Sequence, residues 1–307
     1  MSNFKIVLRK SIFYLLSVCL LSYTVISIGI SNIFHALISA DIKIVLIALF
    51  LNSIAIIFRL YKFQILLNHK DRYSIFEIFI SSRIGKEISF AGFFLPLFKK
   101  SNRNDGTLQN LILDRYTEIF STLILAFISC FFILKKNNTS VVILFVIGAF
   151  TLIMLIVPFI KVAYLTKKVN SKLAIRIIDF IMSLQERLKW KSDSGYILWI
   201  YVLSVFATIF DFLTALFILK AYHIHVNFFL IPVIWAVSGL VSILAFMIIG
   251  STEVSVIYLY YLLAGINKAI TTSFVIVSRF INIMILTILL FGLLIFKNVK
   301  KSYRIYN

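Results

Sequence analysis

Residues 82–120 read SRIGKEISFAGFFLPLFKKSNRNDGTLQNLILDRYTEIF and place charged side chains between long apolar runs. A charged side chain at the centre of a bilayer costs at least about 2.5–3.5 kcal/mol, so charges at that depth are usually paired and functional. The apolar runs on either side are long enough to cross a membrane. This stretch therefore predicts a polytopic membrane protein with a polar centre. The charged residues that we expect at this centre are Arg83, Lys86, Glu87, Asp114, Arg115 and Glu118.

The composition of the whole chain supports that prediction. Of its 307 residues, 61% are hydrophobic and 14% are charged, and the mean hydropathy is +1.02. These values exclude an ordinary soluble domain and leave room for roughly six to eight spans of ~20 residues. The formal net charge of +19 does not indicate nucleic-acid binding, because most basic residues flank apolar runs, as the positive-inside rule expects. We therefore expect membrane lipids as partners and no nucleic acid.

The apolar runs predict an all-α fold with six full transmembrane helices and two re-entrant hairpins. The first hairpin covers residues 75–98 and the second covers residues 228–264. Each half of the first hairpin has only about ten residues, and the second limb of the second hairpin, residues 254–264, is too short to cross the bilayer alone. The predicted breaks within them are Gly85, Gly92, Pro96 and Gly250. The predicted full spans are residues 11–31, 42–66, 108–134, 140–160, 196–219 and 269–296.

The distribution of basic residues favours a hairpin at 75–98 over a single crossing. A single crossing would put the strongly basic segment 161–191 outside the cell, whereas a hairpin keeps it inside. The hairpin places most of the 31 Lys and Arg residues on the inner side, with Arg59 and Lys62 counted among the basic residues that close the second span. The same rule predicts a multi-pass protein of the plasma or inner membrane with both termini in the cytoplasm.

We predict a single integral membrane domain, residues 1–307, built from two halves. The first half covers residues 1–160 and the second covers residues 194–307. Between them, residues 161–193 carry apolar side chains at helical spacing with basic residues in between, which predicts a cytoplasmic amphipathic linker helix. Whether this helix lies along the inner leaflet or packs on the loops of the protein itself stays open.

The two halves share a pattern of chemical groups. Each has a glycine and an acid at its hairpin break, followed at nearly equal spacing by an arginine and an aromatic residue in the next span. Because the hairpins enter from opposite sides, the repeat would be inverted, as is common in secondary transporters. The corresponding pairs are Gly85 and Gly250, Glu87 and Glu253, and Arg115 and Arg279.

The charged residues of these segments are the candidate site. Arg115 and Arg279 are suited to bind a phosphate bidentately, and the acids either pair with these arginines or supply a protonatable group that couples transport to a proton gradient. The alternative is a set of buried ion pairs that lock the helices together and bind no ligand. The candidates along the substrate path are Glu87, Asp114, Arg115, Glu118, Asp211, Glu253 and Arg279.

No catalytic residue, metal site or cofactor is predicted. Cys19 and Cys130 lie in apolar runs without metal or redox spacing, and His223 and His225 would need further ligands to hold a metal. The chain has no G-x-x-x-x-G-K-[ST] motif for ATP. Any transport is therefore expected to be passive or coupled to an ion.

Several short motifs occur in a characteristic order. They are Phe94-Leu95-Pro96, Asn104-Asp105-Gly106, Asp114-Arg115 with Glu118, Gly250 with Glu253, Gly265, and Arg279. Together they resemble the transmembrane region of the lysylphosphatidylglycerol synthases, which is also found as stand-alone, flippase-like membrane proteins. The family usually has Glu-Arg with a following Asp where this chain has Asp114-Arg115 with Glu118. It is also richer in glycine where this chain has Ser251-Thr252.

The resemblance implies movement of a phospholipid or lipid-linked head group between leaflets. The aminoacyl transfer of the synthases is attributed to a separate soluble domain, so we expect a translocase and not an enzyme. Two other functions stay open. A membrane-embedded transferase on lipid-linked substrates would use Asp105 with Asp114, and a non-catalytic scaffold of a lipid or polysaccharide pathway would tolerate apolar replacements of its intramembrane charges. Homo-oligomerisation also stays open.

Overall fold

The structure is a computed structural model in which the described part of the chain is helical. It describes residues 26, 28–67, 75–76, 78–80, 83, 107–133, 138–156, 182, 185, 194–244 and 251–306. Within these ranges the chain forms no strand. The described helices include α1 (Ile30–Ile38), α2 (Ile42–Leu66), α3 (Thr107–Ile133), α4 (Asn138–Ile156), α5 (Ser194–Ala221), α6 (Leu230–Leu244), α7 (Ser251–Ala264) and α8 (Lys268–Tyr306).

Among the described residues, four helices are long and apolar enough to cross a membrane. They are all of α2, residues 110–133 of α3, residues 195–221 of α5 and residues 268–292 of α8. Each coincides with a predicted span, so the all-α membrane class is confirmed. Large apolar side chains such as Phe50 and Phe280 are exposed on these helices, as expected for faces that contact lipid. Helix α4 coincides with the span predicted at 140–160, whereas the total of six spans and the two re-entrant hairpins stay predictions.

Helices α2 and α5 form the most extensive helix pair of the described part. The ring of Phe58 on α2 stacks between Phe206 and Phe210 on α5, each at a centroid distance of 5.7 Å. The hydroxyl of Tyr196 donates a hydrogen bond to the carbonyl of Ile65. Helix α3 packs against α5, α6 and α4. This arrangement brings one face each of α2, α3 and α5 together.

Helices α6, α7 and α8 form a second packed group. α6 packs against α7, and α7 packs against α8. The connection between α7 and α8 turns at Gly265, whose φ of +68° lies in the left-handed region that favours glycine. The N–H of Gly265 donates to the carbonyl of Tyr261 at 3.1 Å, which closes the end of α7. The turn places the start of α7 and the middle of α8 side by side.

The structure differs from the sequence prediction at both ends of the membrane region. The chain has φ +88° at Gly29, and the short helix α1 begins directly after it, before the predicted end of the first span at residue 31. Helix α1 packs on α8, where Ser273 Oγ donates to the Ile33 carbonyl at 3.1 Å. At the other end, α8 continues to Tyr306, beyond the predicted end of the last span at residue 296.

Several predicted features lie outside the described residues. The linker helix 161–193 is described only at residues 182 and 185, and the first hairpin is described only at residues 75, 76, 78–80 and 83. Gly85, Glu87, Gly92, Pro96 and Gly250 are not among the described residues. The predictions made for them stand as predictions.

Candidate functional site

Charged side chains from separate parts of the chain meet between α2, α3 and α5. Arg59 and Lys62 are three residues apart on α2, and Asp114 and Glu118 are four residues apart on α3, so each pair shares one face of its helix. Helix α5 contributes Asp211. Arg83, from the segment before α3, and Arg115 of α3 complete the cluster, which we call the central network: Arg59, Lys62, Arg83, Asp114, Arg115, Glu118 and Asp211.

Lys62 and Asp114 form the most enclosed pair of the central network. Lys62 Nζ lies 2.7 Å from Asp114 Oδ1, and the two side chains are 0% and 1% exposed. The ammonium also reaches the Thr117 hydroxyl at 3.3 Å and the Ser204 hydroxyl at 3.5 Å. A buried ammonium has three donors to satisfy, and these contacts supply acceptors from both α3 and α5.

Glu118 is shared by three guanidinium groups. Its carboxylate lies 3.3 Å from Arg59 Nε and 3.1 Å from Arg115 Nη1, and it also forms an ion pair with Arg83. Arg83 in addition contacts Asp114 Oδ2 at 3.4 Å. Because Glu118 has several cationic partners, it stays paired if one of them moves away.

Arg59 connects α2 to α5 through an ion pair with Asp211. The Asp211 side chain is 32% exposed, so the network is more open on this side than at Lys62. The described network contains four basic and three acidic side chains.

A second, smaller charged site lies between α6, α7 and α8. Arg279 of α8 forms an ion pair with Glu253 in the first turn of α7. The pair borders a cavity of about 250 Å³, a volume that includes its open mouth. We call this space the α7–α8 cavity, and its lining includes Trp235, Thr252, Glu253, Phe274, Ser278 and Arg279.

The two arginine helices have matching registers. At the spacing that relates Arg115 to Arg279, Asp114 and Glu118 of α3 correspond to Ser278 and Asn282 of α8. Asn282 reaches α2 as Glu118 does, because its Oδ1 accepts a hydrogen bond from Asn52 Nδ2 at 2.6 Å. The positions that carry carboxylates on α3 therefore carry neutral polar side chains on α8.

The structure brings together some of the predicted residues and adds others. Asp114, Arg115, Glu118 and Asp211 belong to the central network, whereas Glu253 and Arg279 form the separate pair at the cavity. Glu87 lies outside the described residues.

Arg59 and Lys62 were predicted only as basic residues that flank a span, and not as part of a site. The structure shows both buried in ion pairs. Arg59 lies seven residues before the end of α2 at Leu66, about 10 Å inside the helix. Two features of the sequence could have identified them: the depth of Arg59 within the span, and the spacing of three residues that puts Arg59 and Lys62 on one face of the helix.

The protein comparison agrees with this architecture. The family model described as lysylphosphatidylglycerol synthase TM region matches residues 11–292.

The chain belongs to this family.

The match covers both charged sites and all the described span helices, so the family resemblance predicted from the sequence is confirmed. A search of the curated proteins found no match, and a search of the solved structures found none either. Membership of the family supports a membrane-lipid role for the chain. Within the described part of the chain, no group of three or more His, Cys, Asp or Glu side chains is placed to hold a metal ion.

Proposed function

We propose that this protein moves a phospholipid or lipid-linked head group between the two leaflets of the plasma or inner membrane. The observation that carries the proposal is the central network, in which four basic and three acidic side chains lie between apolar span helices. A head group that carries a phosphate needs a polar route through hydrocarbon, and charged groups inside a helix bundle provide one.

Arg115 and Arg279 are the groups proposed to attract the phosphate. A guanidinium binds phosphate bidentately and stays charged at any physiological pH. Arg115 can leave Glu118 without leaving that carboxylate unpaired, because Arg59 and Arg83 also contact it. Arg279 already faces an open cavity. The two arginines thus offer one phosphate contact in each half of the chain.

The second half is proposed to contain a re-entrant hairpin, in an inverted repeat with the hairpin of the first half. Helices α6 and α7 pack against each other, as the two limbs of a hairpin would. Arg279 follows Glu253 at nearly the spacing at which Arg115 follows Glu87. The distribution of basic residues favours both termini of the protein in the cytoplasm.

Transport is favoured over group transfer by the state of Asp114. A metal-binding or general-base carboxylate needs an accessible oxygen. Asp114 is 1% exposed and forms ion pairs with Lys62 and Arg83. We therefore propose a translocase that is not an enzyme.

Reconstitution into liposomes tests the proposal. The full chain is placed in vesicles with head-group-labelled phospholipids, and labels in the outer leaflet are chemically quenched. Arg115→Gln and Arg279→Gln are compared with Lys43→Gln, which removes an exposed charge next to Asp41 at the start of α2. Movement by the parent and by Lys43→Gln, with loss in either arginine variant that remains folded, supports the proposal. Equal movement by all of them, or movement by none across phospholipids and polyprenyl-linked lipids, overturns it.

A further inference from the structure

We propose that the α7–α8 cavity is a binding site for the phosphate of a lipid head group, and that Glu253 occupies this site until the phosphate displaces it. The inference rests on the proposed function, of which it specifies one binding step. The carboxylate of Glu253 is an anion held by Arg279, so it stands where an external anion would bind. The ligand class is a phosphate monoester or diester.

The exposure of the pair distinguishes it from the central network. The Arg279 and Glu253 side chains are 31% and 22% exposed, whereas Lys62 and Asp114 are almost completely enclosed. A ligand can therefore reach the guanidinium of Arg279 from the cavity without opening the helix bundle. Exchange of one anion for another is feasible here because Glu253 also borders open space into which it can turn.

The surroundings of the pair suit a multivalent anion. Glu253 lies in the first turn of α7, where backbone N–H groups lack partners within the helix and the helix dipole favours negative charge. The hydroxyl-bearing residues Thr252 and Ser278 line the same cavity. A carboxylate has two oxygens to offer these donors, whereas a phosphate has more and carries at least as much charge.

Trp235 lines the cavity from α6. Its indole N–H lies near the hydroxyl of Tyr260, whose oxygen can accept its hydrogen bond. The polar groups left for a ligand are therefore those of Arg279, Glu253, Thr252 and Ser278.

The lining of the cavity defines which part of the lipid it holds. Eight residues line it, and four of them carry a hydroxyl group or a charge: Thr252, Glu253, Ser278 and Arg279. We therefore assign only the phosphate group to the cavity, and the acyl chains stay in the surrounding bilayer.

Displacement predicts weak, reversible binding. Arg279 keeps an anionic partner in both states, so its charge is never left unpaired in the bundle. The free energy of phosphate binding is therefore only the difference between the contacts of the phosphate and those of the Glu253 carboxylate that it displaces. A transport site has to release what it binds, and an internal competitor provides that release.

Binding to the purified full chain in detergent tests the inference. The probes are a short-chain, soluble anionic phospholipid and inorganic phosphate, both measured by calorimetry. Glu253→Gln removes the competitor and is expected to tighten phospholipid binding about tenfold or more, since it removes a charge-assisted bond to Arg279. Arg279→Gln is expected to abolish binding, alone and in combination with Glu253→Gln. Lys43→Gln is the control, since it removes an exposed charge at the start of α2, outside both charged sites, and is expected to leave binding unchanged.

The outcomes separate this inference from the proposed function. Unchanged or weaker phospholipid binding in Glu253→Gln overturns displacement, even where liposomes show lipid movement. Tighter binding that depends on Arg279, in a protein that moves no lipid, supports the site and overturns the translocase. If inorganic phosphate binds with this dependence and the phospholipid does not bind, the assignment to a lipid head group is wrong.

Discussion

Lys62 of α2 and Asp114 of α3 form a salt bridge at 2.7 Å in which neither side chain is more than 1% exposed. Removal of one partner from such a pair leaves an uncompensated buried charge, which typically costs about 3–5 kcal/mol. Removal of both partners by apolar residues of similar volume is often close to neutral. The pair therefore makes the stability of the fold sensitive to single changes.

We predict that Lys62→Met and Asp114→Asn each lower the free energy of unfolding by about 3–5 kcal/mol. The double variant Lys62→Met/Asp114→Leu should recover a large part of that loss, because Arg83 keeps its pair with Glu118. Unfolding of the purified protein in detergent, followed by circular dichroism, measures all three. Additive losses in the double variant would contradict the prediction.

The shared carboxylate of Glu118 gives a second prediction. Glu118→Gln removes a carboxylate that Arg59, Arg83 and Arg115 share, so we expect a loss of about 3–5 kcal/mol or failure to fold. Arg115→Gln leaves Glu118 paired and should lower the free energy of unfolding by less than half as much. The same unfolding measurement compares the two variants. Equal losses would show that Arg115 is as much a structural group as Glu118 is.

A polar contact between α2 and α8 gives a third prediction. Asn52 Nδ2 donates to Asn282 Oδ1 at 2.6 Å, and such interhelical bonds in membrane proteins contribute about 0.6–2 kcal/mol. We expect Asn282→Leu to lower the free energy of unfolding by about that amount. The control is Thr287→Val, because the exposed Thr287 hydroxyl only bonds to the Ile283 carbonyl within the same helix. A loss in the control that equals the loss in Asn282→Leu would contradict the assignment.

The turn at Gly265 gives a fourth prediction. Its φ of +68° costs a residue with a side chain about 1–2 kcal/mol, although no atom lies within 4 Å of an added Cβ. Gly265→Ala should therefore destabilise the α7–α8 connection, and Gly265→Asn should destabilise it less, because asparagine tolerates this conformation. Gly292→Ala, on α8 with equally open space, should be neutral or stabilising. Hydrogen exchange of α7 and unfolding in detergent test the order of the variants.

The span helices could be predicted because apolar length alone determines them. The prediction of 42–66 for the second span coincides with α2, Ile42–Leu66, since the hydrocarbon thickness sets the length of such a run. A pairing of Glu253 with Arg279 was one of the two alternatives that the sequence left open for the acids of the candidate site. Both features depend on short stretches of the sequence: one apolar run, and two residues that are 26 positions apart.

The central network could be predicted only in part. Lys62 is 52 residues from Asp114, and Asp211 is 152 residues from Arg59, so these pairs depend on which helices pack together. A lysine near the end of a span usually extends to the membrane surface, which is why the burial of Lys62 was missed. Helix α1 was missed because the break at Gly29 lies within an apolar run.

The central claim is that the phosphate of a lipid head group contacts Arg279 as it crosses the membrane. The most direct measurement is the rate of transbilayer lipid movement in liposomes that contain the parent, Arg279→Lys or Arg279→Gln. We predict that Arg279→Lys retains a reduced rate, because it keeps the charge but not the bidentate contact, and that Arg279→Gln has the rate of empty liposomes. A rate for Arg279→Gln equal to that of the parent would contradict the claim.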